Sequence, residues 1–162
     1  MTSATKSALR SVPADVAYAE DFYTWTQEQG ARLRAGDLMA LDLENLAEEI
    51  ESLGRSQFDS LVSAWRILLL HMLKFDHQPS RRTRSWTLSI MEQRKQSGFI
   101  LKDNPGLKSR LDEALERAYD VARVGASRET RIALGRFPEA CPYTRDEMLT
   151  RSFAIDPDDT TA

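Results

Sequence analysis

One apolar stripe limits what this chain can fold into. Leu43, Leu46, Ile50 and Leu53 recur at helical spacing. Beyond Gly54 the stripe runs on through Phe58, Leu61, Trp65, Leu68, Met72 and Phe75. Steps of three and four residues put successive side chains on one side of an α-helix, and on no single face of a strand. From Ile67 to Leu73 the segment is apolar nearly all round apart from His71, the pattern of a central helix covered on several sides. Gly54 costs about 1 kcal/mol in a helix interior, so a kink or a close packing point is expected there. The pattern ends before Pro79, which cannot continue it.

The rest of the chain reads as helices that pack against this one. A first helix is expected over Tyr18 to Arg34, with Phe22, Trp25, Gln29 and Leu33 on one side and Gly36 as a left-handed stop. Asp42 is placed to cap the second helix, and Glu44 suits the positive end of its dipole. A third helix is expected from about Arg82 to Lys102, with Trp86, Ile90 and Leu101 on one side. Asn104-Pro105 reads as an N-cap followed by proline at the first helical position. The fourth helix then carries Leu107, Leu111, Leu115, Ala118 and Ala122. Ser127 is read as the cap of a further short helix with Ile132 and Leu134. Thr144 to Glu147 spells a capping box for a last one.

No strand alternation, repeat or internal boundary is visible. The expected fold class is therefore all-α: a helical bundle of about four main helices plus short C-terminal helices. A single helical domain is expected over residues 17–153, between a disordered N-terminal tail (1–16) and an acidic disordered tail (154–162). The length of 162 residues suits one domain with a core of its own. The net charge of −3 is too small to argue for nucleic acid or a membrane. Cys141 is the single cysteine, which excludes an internal disulfide and a multi-cysteine zinc site. Residues 1–14 do not read as a secretory signal, and the longest apolar run, Ile67 to Leu70, is far short of the roughly 20 residues of a membrane span. A cytoplasmic location is expected.

Several longer blocks resemble one family. These are Asp21-Phe22-Tyr23-Thr24-Trp25, the block from Leu41 to Ser56 (L-D-L-E-N-L-A-E-E-I-E-S-L-G-R-S), and the run from Arg66 to Phe75. Gln78-Pro79, Arg84-Ser85-Trp86, Ile90, Gln93-Arg94 and Cys141-Pro142-Tyr143-Thr144 complete the set. Together they resemble the bacterial domain-of-unknown-function family 29 from about Ala17 to Phe153. The resemblance implies an all-helical fold and no particular activity. At Phe75-Asp76-His77 the chain departs from the family's more usual tryptophan, polar, aromatic pattern, so His77 is not expected to be a family-wide ligand.

Chemistry must then be argued from residues. Arg66 and His71 have the R-x-x-x-x-H spacing of the HEPN superfamily, helical domains that include metal-independent ribonucleases. In that chemistry the histidine exchanges a proton with an RNA oxygen and the arginine stabilises the phosphorane. Against this, five residues put the two side chains about 140° apart on a regular helix, and Ile67 stands where such nucleases often carry a polar residue. The plainer reading makes His71 a histidine at the margin of the core and Arg66 a surface residue. The acidic group Asp42, Glu44, Glu48, Glu49 and Glu51 lacks the E-x-x-H pairs of bundle metal sites, so it is read as a solvated face and no metal or cofactor is expected. The stretch containing Arg81, Arg82, Arg84, Arg94, Lys95, Lys102, Lys108 and Arg110 is basic, with Trp86 within it. It reads either as a phosphate-binding or partner surface with a stacking ring, or as one half of a salt-bridge network with Trp86 in the core. Cys141 has no activating histidine beside it, and glycine-rich phosphate loops are absent.

The leading reading is a helical bundle without catalytic activity that works by association with another protein or as a homodimer. The alternative is a HEPN-like ribonuclease or RNA-binding protein using Arg66 and His71. Nucleic-acid binding through the Arg81–Arg110 surface stands third.

Overall fold

The computed structural model describes residues 18–155. The expected tail at 1–16, and all but Ala154 and Ile155 of the one at 154–162, lie outside them. Among the described residues the fold is all-α, with no strand. The main helices are α1 (Phe22–Ala35), α2 (Leu43–His77), α3 (Arg84–Asp103), α4 (Leu111–Thr130) and the short α5 (Arg145–Thr150). Short 3-10 turns at Leu38–Ala40, Pro79–Arg81, Pro105–Arg110 and Leu134–Arg136 link them. No helix among the described residues is long and apolar enough to cross a membrane.

The chain divides into two compact units, the first reaching to Leu53 and the second starting at Gly54. The division falls inside α2, which is helical from Leu43 to His77 without interruption. The sequence pattern treats 17–153 as one domain and carries no mark of this division.

The first unit is a helical hairpin held by polar links. Asp21 caps α1, its carboxylate accepting the Thr24 amide at 3.0 Å, so the helix starts at Phe22 and not at Tyr18. Gly36 ends it at φ 72°, as its sequence position implies. Asp42 caps α2, accepting the Asn45 amide at 3.3 Å and the Trp25 indole N–H at 3.2 Å. The Asp42 amide donates to the side chain of buried Gln29 at 2.9 Å. Tyr18 donates to Glu49 and sets its ring edge-on to Trp25. Trp25 is the one large apolar side chain buried among the described residues of this unit.

The second unit holds the core. Phe58, Leu61, Trp65, Leu68, Met72 and Phe75 are all 5 % exposed or less. Ile90 and Ile100 of α3 join them, with Ala114, Ala118, Tyr119, Ala122 and Ala126 of α4. Phe137, Tyr143, Met148 and Phe153 close the core from the C-terminal segment. The small side chains of α4 permit close approach: a Cβ built on Gly125 would lie 2.6 Å from Leu70 Cδ1. Gly54 has open space around its Cβ position, so it is not the close packing point expected of it.

Two caps fall elsewhere than expected. Asn104 ends α3 and makes no N-cap bond; its side chain donates back to Ile100 O at 3.0 Å, and Pro105 opens a 3-10 turn ahead of α4. Ser127 lies inside α4, which runs on to a left-handed Arg131 (φ 61°). The Ser127 hydroxyl donates to Ile132 O at 2.7 Å and steadies that turn. The capping box at Thr144 and Glu147 forms as read.

Candidate functional site

The apolar stripe of α2 is only half covered. Its second half is the core just described, but in the first half Leu43, Ile50 and Leu53 are 66, 67 and 68 % exposed. The expectation of a continuous buried stripe therefore holds only from Phe58 on. Positions 43, 50 and 53 lie within about 80° of arc on a helix, so the three side chains form one strip. Glu44, Glu48 and Glu51 are exposed along the same stretch. The first unit also exposes Phe22, Tyr23, Leu33, Leu38 and Met39. Among the described residues of this unit, eight large apolar side chains at the surface against one in the interior is the reverse of an independently stable fold. Between residues 18 and 53, nine carboxylates stand against two guanidinium groups, a net charge of −7. Between 54 and 155, eighteen cationic side chains stand against twelve carboxylates, a net of +6. The small overall charge conceals a strongly polarised chain.

Arg66 and His71 do not meet. No hydrogen bond or ion pair joins them, and α2 is helical through both. His71 is half-buried, with Nδ1 shielded from solvent and without a hydrogen-bond partner. Burial, with help from the positive charge of Lys74, lowers its pKa to about 4. An imidazole in that state is neutral near pH 7 and poorly matched to general acid work.

The neighbour of His71 is a feature that the sequence pattern did not single out. Lys74 is only 8 % exposed and donates to Glu129 of α4 at 2.7 Å. Its Nζ also lies 4.6 Å from the centroid of the Trp86 ring. A lysine at the end of the apolar run is the available signal, because a cation there needs a partner. Trp86 packs against the core with Lys74 on one face, which removes that face as a platform for a base.

The basic stretch is divided. Arg82 donates to Phe75 O at 2.9 Å and lies over the Phe75 ring. Arg94 donates to Met148 O and Arg151 O, both at 2.7 Å, and so caps the C-terminal end of α5. Arg81 and Arg84 remain exposed at the start of α3. The sequence groups Arg81, Arg82, Arg84, Trp86 and Arg94 as one surface, whereas two of the guanidiniums and the indole serve the interior.

Asp76 is a second feature that the pattern did not single out. Arg151 donates to both its oxygens, at 2.6 and 2.8 Å, and the Tyr143 hydroxyl adds a third bond at 2.8 Å. Burial would raise the Asp76 pKa, but the hydrogen bonds from Arg151 and Tyr143 more than offset this and lower it. Burial, then the charge of Asp76, raises that of Tyr143.

An open cavity of about 450 Å³ is lined by Asp112, Glu116, Asp120 and Glu139, with Tyr119 and Cys141 beside them. Its rim repels polyanions, and burial raises the Cys141 thiol pKa, which makes it a poorer nucleophile. Among the described residues no group of three or more His, Cys, Asp or Glu side chains is placed to hold a metal ion.

A family model described as "Domain of unknown function DUF29" matches residues 17–154, nearly the whole chain. No curated protein and no solved structure matches it.

Proposed function

We propose that this chain, which belongs to the DUF29 family, is a protein-association module that pairs with a second copy of itself through its first unit. The observation that carries this reading is the strip of Leu43, Ile50 and Leu53, each about two-thirds exposed, on a hairpin that buries a single tryptophan. Covering eight side chains of this size contributes on the order of 10 kcal/mol before the entropy of association is subtracted. Such a strip also presents its apolar residues as knobs for a facing helix, the usual geometry of helical dimers.

Sedimentation velocity between 1 and 100 µM is the test, with Ile50→Asp/Leu53→Asp as the comparison. The native chain should sediment as a dimer and the double variant as a folded monomer with unchanged helical circular dichroism. A native chain that stays monomeric across the range overturns the proposal.

A further inference from the structure

We infer that the outer face of α3 binds a single strand of nucleic acid, with Lys95 and Lys102 on its phosphates and the Phe99 ring stacked on a base. The inference draws on the second unit alone and is independent of the association proposed above. The charge of that unit is concentrated. Between residues 81 and 110, eight cationic side chains stand against Glu92 and Asp103; over the rest of 54–155, ten stand against ten carboxylates. The whole surplus of +6 therefore lies in α3 and the short segments on either side of it. Arg82 and Arg94 turn inward to carbonyls, and Arg110 pairs with Glu113. Arg81, Arg84, Lys95, Lys102 and Lys108 are exposed.

A helix turns about 100° per residue, which puts Arg84, Leu88, Lys95, Phe99 and Lys102 within about 60° of arc, in a row about 27 Å long. Glu92 stands about 20° beyond one edge of it. Such a row attracts a polyanion. Phe99 is 60 % exposed, and Lys95 and Lys102 stand one turn before and after it. A ring between two cations finds no free base face on a duplex, whose bases stack on one another. It offers a flat platform to an unpaired base. Trp86, the ring expected in this role, carries Lys74 over one face. Phe99 takes the role from a position that the sequence pattern passes over. A bilayer fits this face less well. Leu88 and Phe99, its exposed large apolar side chains, lie about 16 Å apart along the helix with Lys95 between them, too sparse for an apolar face to sink into lipid.

Fluorescence anisotropy of labelled 20-nucleotide oligothymidylate and oligouridylate, titrated with the full chain at 50 and 200 mM NaCl, tests this. Native protein should bind with a Kd on the order of 10 µM at the lower salt. At the higher salt affinity should fall about seven- to twentyfold, as two to three phosphate contacts on a single strand require. Binding of only one oligomer supports the inference and identifies the sugar. Lys95→Glu/Lys102→Glu should abolish binding. Arg128→Glu/Arg136→Glu, which removes the same charge from exposed positions elsewhere, should stay within about threefold of native. Phe99→Ala should weaken single-strand binding about tenfold at an unchanged salt slope, and leave binding to a duplex of the same length as it was. The substituted positions are all exposed, so each variant should keep the native helical circular dichroism. Failure of both oligomers to bind at 100 µM protein overturns the inference. So does binding that survives the lysine pair, that Phe99→Ala leaves unchanged, or that the arginine pair abolishes equally. Binding to vesicles of 30 % phosphatidylserine in phosphatidylcholine, with neither oligomer bound, makes the face a lipid contact and overturns it too.

Discussion

Arg151 holds Asp76 through two parallel hydrogen bonds of 2.6 and 2.8 Å, tying the segment after α5 to the end of α2. The fork geometry matches guanidinium to carboxylate, and Tyr143 satisfies Asp76 further. Phe153 follows two residues later, sealing the core edge-on to Phe75, with its carbonyl accepting from buried Thr87 at 2.8 Å. The ion pair therefore positions an apolar seal.

Replacing Asp76 with Ala leaves Arg151 and Tyr143 without their acceptor. Breaking a fully buried pair costs 3–5 kcal/mol; with the Arg151 side chain 37 % exposed, about 2 kcal/mol is expected. Urea denaturation should show a lower midpoint at unchanged slope. The Asp76 pKa is lower in the folded chain than in the unfolded one. Its contribution is therefore present above about pH 4 and is lost as pH falls through the folded value. The Asp76→Ala variant should lack that part of the acid dependence. A variant as stable as the native chain would show that the clamp is ornamental.

Two of the helical glycines, Gly54 and Gly125, should respond in opposite directions to alanine. At Gly54 a Cβ meets nothing within 4 Å, so Gly54→Ala gains helix propensity of about 0.5–1 kcal/mol. At Gly125 the same Cβ lies 2.6 Å from Leu70 Cδ1, and Leu70 is 6 % exposed. Displacing it costs about 1–3 kcal/mol, which offsets the propensity gain and leaves a net loss of up to about 2 kcal/mol. Thermal melts of the two variants should move to either side of the native midpoint.

How far the sequence reveals this depends on whether a signal is local. Gly36, Asp42 and the Thr144 capping box are legible because a cap involves groups within a few residues of each other. Asn104 and Ser127 carry the right side chains, but the chain already has a helix end at Asn104 and continues a helix through Ser127. The α2 stripe is legible as a helix and misleading as burial: periodicity reports which side is apolar, not whether anything covers it. The partners Lys74–Glu129 and Asp76–Arg151 are 55 and 75 residues apart in sequence, and no local spacing brings them together. Arg82 and Arg94 look like surface charge for the same reason, since the carbonyls they serve belong to other elements.

Asp42 should matter beyond its own helix. Its carboxylate caps α2, accepts from Asn45 and holds the Trp25 indole, so both helices of the hairpin meet at one group. The hydrogen bonds, chiefly that from the Asn45 side chain, lower its pKa, so the arrangement persists down to acid pH. Asp42→Ala should leave the second unit folded and loosen the first. Hydrogen exchange should show lost protection at the Asn45 and Leu46 amides, with α3 and α4 unchanged. Equal loss in both units would mean that the hairpin does not open independently.

His71 gives the last prediction, and it bears on catalysis as well as stability. Its pKa is about 4 in the folded chain against 6.5 for the free group, because burial and Lys74 oppose the imidazolium. The unfolded chain therefore binds more protons between these values, and stability contributed by neutral His71 is lost as pH falls from about 6.5 towards 4. His71→Met keeps the volume and removes the titration, so its stability should fall less steeply than that of the native chain across this window. The same neutral, partly dry imidazole is unable to act as an efficient proton donor near pH 7. Incubation with total RNA in EDTA should accordingly show no cleavage that disappears in His71→Ala. RNA cleavage by the native chain, abolished both by His71→Ala and by Arg66→Ala, would make the chain a nuclease and reduce the exposed strip of α2 to a dimer contact that serves it.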